Sequence, residues 1–305
     1  MNEVTRIKNL EVPKTKVDVV LDTDAYNEID DQFAISYMLL CKDKLNCKAI
    51  YAAPFHNTRS EGPKDGMEKS YDEILRLLEF LGEDIPVFKG SEKYLNNENE
   101  AVISPAAKDL AERANQYSPL NPLYVVAIGA ITNVASAMIL NPRMAENTVV
   151  IWLGGHALHY HDTKEFNMYQ DIAAARVVMS SGVPFVQLPC MGVVSEFRIS
   201  KPELEYWLKG KNPLADYLAD AAIKEADSYA FGKPWTRVIW DVTAVAWLVN
   251  DVGYLMESRL VPVSLPTYDY HYAILPNAHL MRYVYSINRD ELMKDLFDKI
   301  INFKK

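Results

Sequence analysis

The chain has 305 residues, of which 49% are hydrophobic and 24% charged, and a formal net charge of -9. That balance is the composition of a globular protein and excludes a basic nucleic-acid surface or a face drawn to anionic membranes. No apolar stretch approaches the roughly 20 residues of a membrane span, and the three cysteines, Cys41, Cys47 and Cys190, form no CxxC pair, which fits a reduced setting.

The first sixteen residues, MNEVTRIKNLEVPKTK, lack the apolar core of a signal peptide, so a cytoplasmic location is expected. Apolar, β-branched runs then recur: strands are predicted over 16–24, 48–55, 86–90, 123–129, 148–155 and 184–190. Amphipathic stretches over 30–41, 67–82, 132–140 and 171–182 alternate with them as helices. This alternation predicts an α/β fold with a mainly parallel central sheet covered by helices on both faces. After residue 195 the pattern changes to helices over 201–210 and 213–232, a buried helix over 241–250, strands over 259–266, 268–275 and 279–287, and a closing helix over 289–303. With no repeat or linker, the reading is a single domain over 1–305 with a helical insertion and C-terminal strands. Ligands of such sheets sit beyond the carboxyl ends of the strands.

The first strand ends in "LDTDAYNEIDD", where Asp22, Asp24, Glu28, Asp30 and Asp31 crowd into ten residues. Asp22 and Asp24 are two apart on an extended strand and share a face. Asp30 and Asp31 open the next helix, so all these carboxylates can converge on one crevice. Asp30 as an N-cap and Asp31 as a partner of the helix dipole are ordinary alternatives. They leave Asp22 and Asp24 unexplained, whereas an oxygen-only donor set of this size suits a hard cation such as calcium or magnesium.

Asp22-Thr23-Asp24 followed by Asp30-Asp31 resembles the DTDxxxDD signature of the inosine-uridine preferring nucleoside hydrolases, with a loop longer by two residues. "AIGAITNVASAMILNP" (127–142), "VVIWLGG" (149–155), "EFNMYQDIAAARVVMSSGVP" (165–184) and "WDVTAVAWLV" (240–249) resemble further segments of that family in the same order. The resemblance covers roughly residues 16 to 250. It implies a Rossmann-like nucleoside hydrolase fold and calcium-dependent hydrolysis of the N-glycosidic bond of a ribonucleoside such as inosine or uridine, or of a related N-riboside. It also implies a place in purine or pyrimidine salvage, a small-molecule substrate and a homo-oligomer, dimer or tetramer.

Carried over position by position, the resemblance makes Asp24, Asp31, Asp241 and the backbone oxygen of Ile128 the calcium ligands, with Asp22 supporting them. Asp24 is then also the general base toward water. Asp30 would accept from a ribose hydroxyl, and Glu165 and Asn167 would bind the ribose 5' end. Asn57 resembles the family's asparagine after the second strand, with a turn-holding Asn as the equal alternative. Phe166 would pack near the sugar or anchor its turn in the core. Two departures stand out. The GNxT stretch expected between 154 and 164 is missing, with His159 nearest by spacing. Trp240 stands where family members often carry a His that protonates the leaving base, and an indole cannot serve as a general acid. Trp240 can instead stack on that base or pack in the core. Acid catalysis could then fall to Tyr229, His159 or His161, with Arg237 stabilising a departing anion.

Two rival readings use the same residues. A strand followed by D-x-D also opens haloacid-dehalogenase-type phosphatases, but that leaves Asp30, Asp31 and the T-N and E-F-N segments unexplained. The other is a calcium-binding protein that captures a ribosyl ligand without turnover.

Overall fold

The computed structural model describes residues 1–304. In chain order its strands are β1 (Val17–Thr23), β2 (Leu45–Ala52), β3 (Val87–Lys89), β4 (Leu123–Ala127), β5 (Thr148–Leu153), β6 (Phe185–Leu188), β7 (Arg198–Ser200), β8 (Thr236–Val238), β9 (Met256–Pro262), β10 (Ser264–Pro266), β11 (Tyr272–Ile274) and β12 (Leu280–Ile287). The helices are α1 (Glu3–Asn9), α2 (Asp30–Leu40), α3 (Pro63–Leu81), α4 (Pro105–Arg113), α5 (Thr132–Leu140), α6 (Met144–Asn147), α7 (Phe166–Gln170), α8 (Ile172–Ser180), α9 (Lys201–Trp207), α10 (Pro213–Ala230), α11 (Val242–Val249) and α12 (Arg289–Ile301).

Eight strands form one sheet in the order β3-β2-β1-β4-β5-β6-β12-β9. All neighbours pair in parallel except the edge strand β9, which runs antiparallel to β12. The interior strands are apolar on both faces, as burial by helices on each side requires. Val19 and Leu21 face a core shared with α2, α3, α10, α11 and α12, while Val20 faces one shared with α4, α5 and α8. The strand order reverses direction between β1 and β4, so the crevice beyond their carboxyl ends is the place such a sheet offers a ligand. Asp24 follows β1 there, and Ile128 follows β4.

The predicted α/β class and its mainly parallel sheet are present. The C-terminal strands β12 and β9 extend the main sheet. Strand character over 268–275 is confined to Tyr272–Ile274, because Tyr270 takes a left-handed φ of 67° in the turn closed by Thr267 and His271. Helices α1 and α4 and the ribbon β7–β8 went unanticipated. Each is short, and α1 is a polar segment held by its Asn2 cap and by Arg6 reaching the Leu280 carbonyl across the chain. The three cysteines are unpaired. Among the described residues no helix is long and apolar enough to cross a membrane.

Candidate active site

A crevice of about 200 Å³ opens at the strand ends, lined among others by Asp24, Glu28, Asp30, Asp31, Ile128, Phe166, Trp240 and Asp241. Asp24 leaves β1 into a turn closed by Asn27 N–H donating to the Asp24 carbonyl at 2.7 Å, which brings the chain round to α2. The N-cap of α2 is Ile29, so Asp30 and Asp31 sit in the first turn with their carboxylates free of capping duty. Asp241 occupies the N-cap position of α11 but makes no side-chain cap bond. Oxygens of Asp30, Asp31 and Asp241 lie within 4.8 Å of one another.

Asp24, Asp30, Asp31 and Asp241 are all buried. Burial pushes the Asp31 carboxyl up to about 7, against the pull of hydrogen bonds with Thr23 and Asp241. Asp24, Asp30 and Asp241 are driven well above the usual carboxylate range, first by burial and then by neighbouring acids: Asp31 acts most on Asp24, Glu28 on Asp30, and Asp30 on Asp241. One Asp24 oxygen, Oδ2, is buried with no hydrogen-bond partner. An unpaired buried carboxylate costs several kcal/mol, so the cluster must hold protons or a cation. The protein's own cation there is Arg237 on β8, which pairs with Glu28 and lies 3.5 Å from Glu225 and 3.9 Å from Asp30. Its charge reaches Asp30 from the rim and leaves the carboxyls of Asp24, Asp31 and Asp241 uncompensated.

The donor set fits a hard cation. It is all oxygen, carries an orphaned carboxylate atom, and has a small residue beside it: a Cβ at Gly129 would meet Asp24 Cγ and Oδ1 at 3.1 Å. The Ile128 carbonyl lines the same crevice and accepts Asn167 Nδ2 at 3.3 Å. Asp22 lies behind. Its Oδ1 accepts Asn133 Nδ2 at 2.8 Å, its Oδ2 is unpartnered, and burial lifts its carboxyl to about 7.

Glu165, Phe166 and Asn167 line the crevice. Glu165 is the N-cap of α7: Oε1 accepts from Asn167 N, and Oε2 from Gly155 N and Met168 N, at 2.8–3.0 Å. Burial still raises its carboxyl to about 7. Asn167 donates to the Ile128 and Leu153 carbonyls at 3.3 and 3.1 Å, tying the ends of β4 and β5 together. Phe166 packs edge-on against Tyr169. Trp240, half-buried, faces the same space.

Four expected residues are not brought to the crevice. Asn57 stands one layer back: its Nδ2 donates to the lining Asn27 at 2.7 Å, and its Oδ1 accepts Arg59 N at 2.8 Å, the turn-holding bond. Tyr229 is 59% exposed on α10 and lines a separate groove. His159 is exposed beside Gly192, and His161 is exposed as well. Of the loop's histidines, His156 is the one that lines the crevice, together with Lys164. Sequence spacing carried no sign of either, because what selects them is the path of the 154–165 loop.

Known proteins resemble the chain in both sequence and fold. A model of the inosine-uridine preferring nucleoside hydrolase family matches residues 19–273. The chain is 26% identical over 306 aligned positions to a pyrimidine-specific ribonucleoside hydrolase of Escherichia coli, covering 86% of this chain and 92% of that one. It shares its fold with a purine-preferring ribonucleoside hydrolase from Gardnerella vaginalis, with a TM-score of 0.76, 18% identity, and 94% and 98% of the two chains covered. A plant nucleoside hydrolase superposes with a TM-score of 0.74 at 19% identity, covering 94% and 99%. With its family signature spanning most of its length, the chain belongs to the nucleoside hydrolase family.

Proposed function

We propose that the protein is a calcium-dependent N-glycosidase that hydrolyses a ribonucleoside, or a related N-riboside, to ribose and free base. The observation that carries the reading is the convergence of buried Asp30, Asp31 and Asp241 in a crevice that Asp24 also lines, with one buried Asp24 oxygen unpartnered. Asp24, Asp31, Asp241 and the Ile128 carbonyl would hold the ion. Bound there, calcium supplies a Lewis-acid centre for the ribose diol and for water.

The chain's own residues do the rest. Asp24 takes a proton from the attacking water as its oxygen bonds to the anomeric carbon. The glycosidic bond breaks with its electron pair leaving on the base nitrogen. The sugar passes through an oxocarbenium-like state, and the surrounding carboxylates stabilise that positive charge. Asp30 accepts from a ribose hydroxyl. Asn167, held by Glu165, binds the 5' end. Trp240 stacks on the leaving base, with no proton to give it.

A second reading, ligand capture without turnover, is favoured by the indole of Trp240 where proton donation is wanted. Assays of p-nitrophenyl riboside, uridine and inosine, with calcium and with chelator, separate the two. Turnover lost on chelation, and reduced about 10²–10⁴-fold in Asp24→Ala, is the expected result. Calcium-dependent binding of ribosides with no sugar release from any of them would replace hydrolysis by capture.

A further inference from the structure

The crevice is electrically divided. Its lining holds Asp24, Glu28, Asp30, Asp31 and Asp241 at the end of β1 and the starts of α2 and α11, and His156 and Lys164 on the loop after β5. Sheet order sets their separation. Asp24 follows β1 and His156 follows β5, with β4 between them. At about 4.8 Å per strand the ends of β1 and β5 lie on the order of 10 Å apart. Between them is Glu165, whose oxygens are taken up by backbone N–H groups.

We propose that the substrate carries a phosphate on the ribose 5' oxygen, held by Lys164 and His156, so that the preferred class is a nucleoside 5'-phosphate. This rests on the N-glycosidase reading, which sets the anomeric carbon at Asp24 and the 5' carbon at Asn167. Chain connectivity supports that orientation. Lys164 immediately precedes Glu165, and His156 follows Gly155, whose N–H binds Glu165.

Both basic side chains are held from outside the crevice. Tyr272 Oη donates to the His156 carbonyl at 2.9 Å, and the His156 imidazole lies 4.6 Å from the Tyr160 ring. Met191 N–H donates to His156 Nδ1 at 3.3 Å, which leaves the ring hydrogen on Nε2. The loop before Lys164 is pinned by Thr163 N–H to the Tyr270 carbonyl at 2.8 Å, and its own N–H reaches Asp162 Oδ1 at 3.0 Å. Its ammonium lies 5.2 Å from the centre of the Tyr270 ring, and among the described residues no carboxylate is in ion-pair contact with it. Asp162 is the acid on this side. It lies 4.0 Å from His156 Nε2 and 3.3 Å from His161 Nε2, outside the crevice lining. A 5'-hydroxyl needs neither an ammonium nor an imidazole, whereas a phosphate gains a charge-assisted bond from each.

The test compares uridine with uridine 5'-monophosphate, and inosine with inosine 5'-monophosphate, on calcium-loaded protein. Alongside it, calorimetry measures binding of ribose 5-phosphate against ribose. The expected result is kcat/KM at least tenfold higher for the monophosphates. Lys164→Gln and His156→Gln should each lower the monophosphate-to-nucleoside ratio about 10–100-fold, the size of one charge-assisted bond. Nucleosides cleaved at least as well as their monophosphates would overturn the phosphate site and leave the hydrolase standing. Release from neither class would sink the hydrolase reading instead. Calorimetry then still decides: ribose 5-phosphate preferred over ribose, and weakened by Lys164→Gln, upholds the basic pole, and equal or absent binding of the two overturns it.

Discussion

Trp240 and Glu165 show how single residues tune a common framework. The indole lines the crevice beside Asp241 and can stack on a departing base, but it has no proton to transfer at ordinary pH. Trp240→His should therefore raise kcat/KM for uridine and inosine by about 10–100-fold while changing p-nitrophenyl riboside little, since nitrophenolate leaves without protonation. Parallel assays of the three substrates check it. Glu165 makes a pH prediction. Burial lifts its folded pKa to about 7, above its unfolded value. The native state thus binds a proton that the unfolded chain has already lost. The resulting stability is fully present below the unfolded pKa, near 4, and disappears as pH rises to about 7. Relative to Glu165→Gln, the wild type should lose roughly 3 kcal/mol across that window, measured by urea unfolding of chelated protein at each pH.

At the scale of elements, the family-like motifs divide into those that line the crevice and those that brace the strand ends. Asn133, from the T-N segment, is buried on α5. Its Nδ2 donates to Asp22 and to the Ala52 carbonyl, and its Oδ1 accepts from the N–H and hydroxyl of Ser91. Thr132 donates to Asp171 at 2.7 Å, and Asp171 in turn caps α8 and accepts Leu95 N–H. Neither side chain lines the crevice; they tie β1, β2 and the segments after β3 to α5 and α8. Asn133→Ala should thus cost about 3 kcal/mol through stranded buried partners, a fall of about 5 °C in Tm for a chain of 305 residues. It should also lower kcat, because Asp22 supports the strand end that presents Asp24. The Gly129 position acts on the same strand end. A methyl there meets Asp24 at 3.1 Å, so Gly129→Ala should reduce kcat/KM at least tenfold with little loss of Tm, read by assay and thermal melt together.

For the whole molecule, a cation at the acidic centre would couple ligand and fold. Four mutually repelling buried carboxyls sit where β1, α2 and α11 meet, so a cation that neutralises them stabilises the packing of all three. Calcium at 100 times its Kd should add about 2.7 kcal/mol, which for 305 residues is a rise of about 4 °C in Tm. A melt unchanged between calcium and chelator would remove the proposed ion. Because binding and turnover are separate readouts, this shift is expected whether or not the protein cleaves its ligand.

The fold class and the acidic centre were legible in the sequence because both rest on local rules. Strand and helix periods mark the parallel sheet, and acids clustered after an apolar strand mark its carboxyl edge whatever the loops do. The tertiary structure decided which other side chains reach that edge. Tyr272, 116 residues downstream, holds the His156 carbonyl and so turns His156 rather than His159 or His161 toward the crevice. The ribbon β7–β8 carries Arg237 to Glu28, while α10 turns Tyr229 out to solvent. These outcomes depend on contacts between segments far apart in the chain, which no local period encodes.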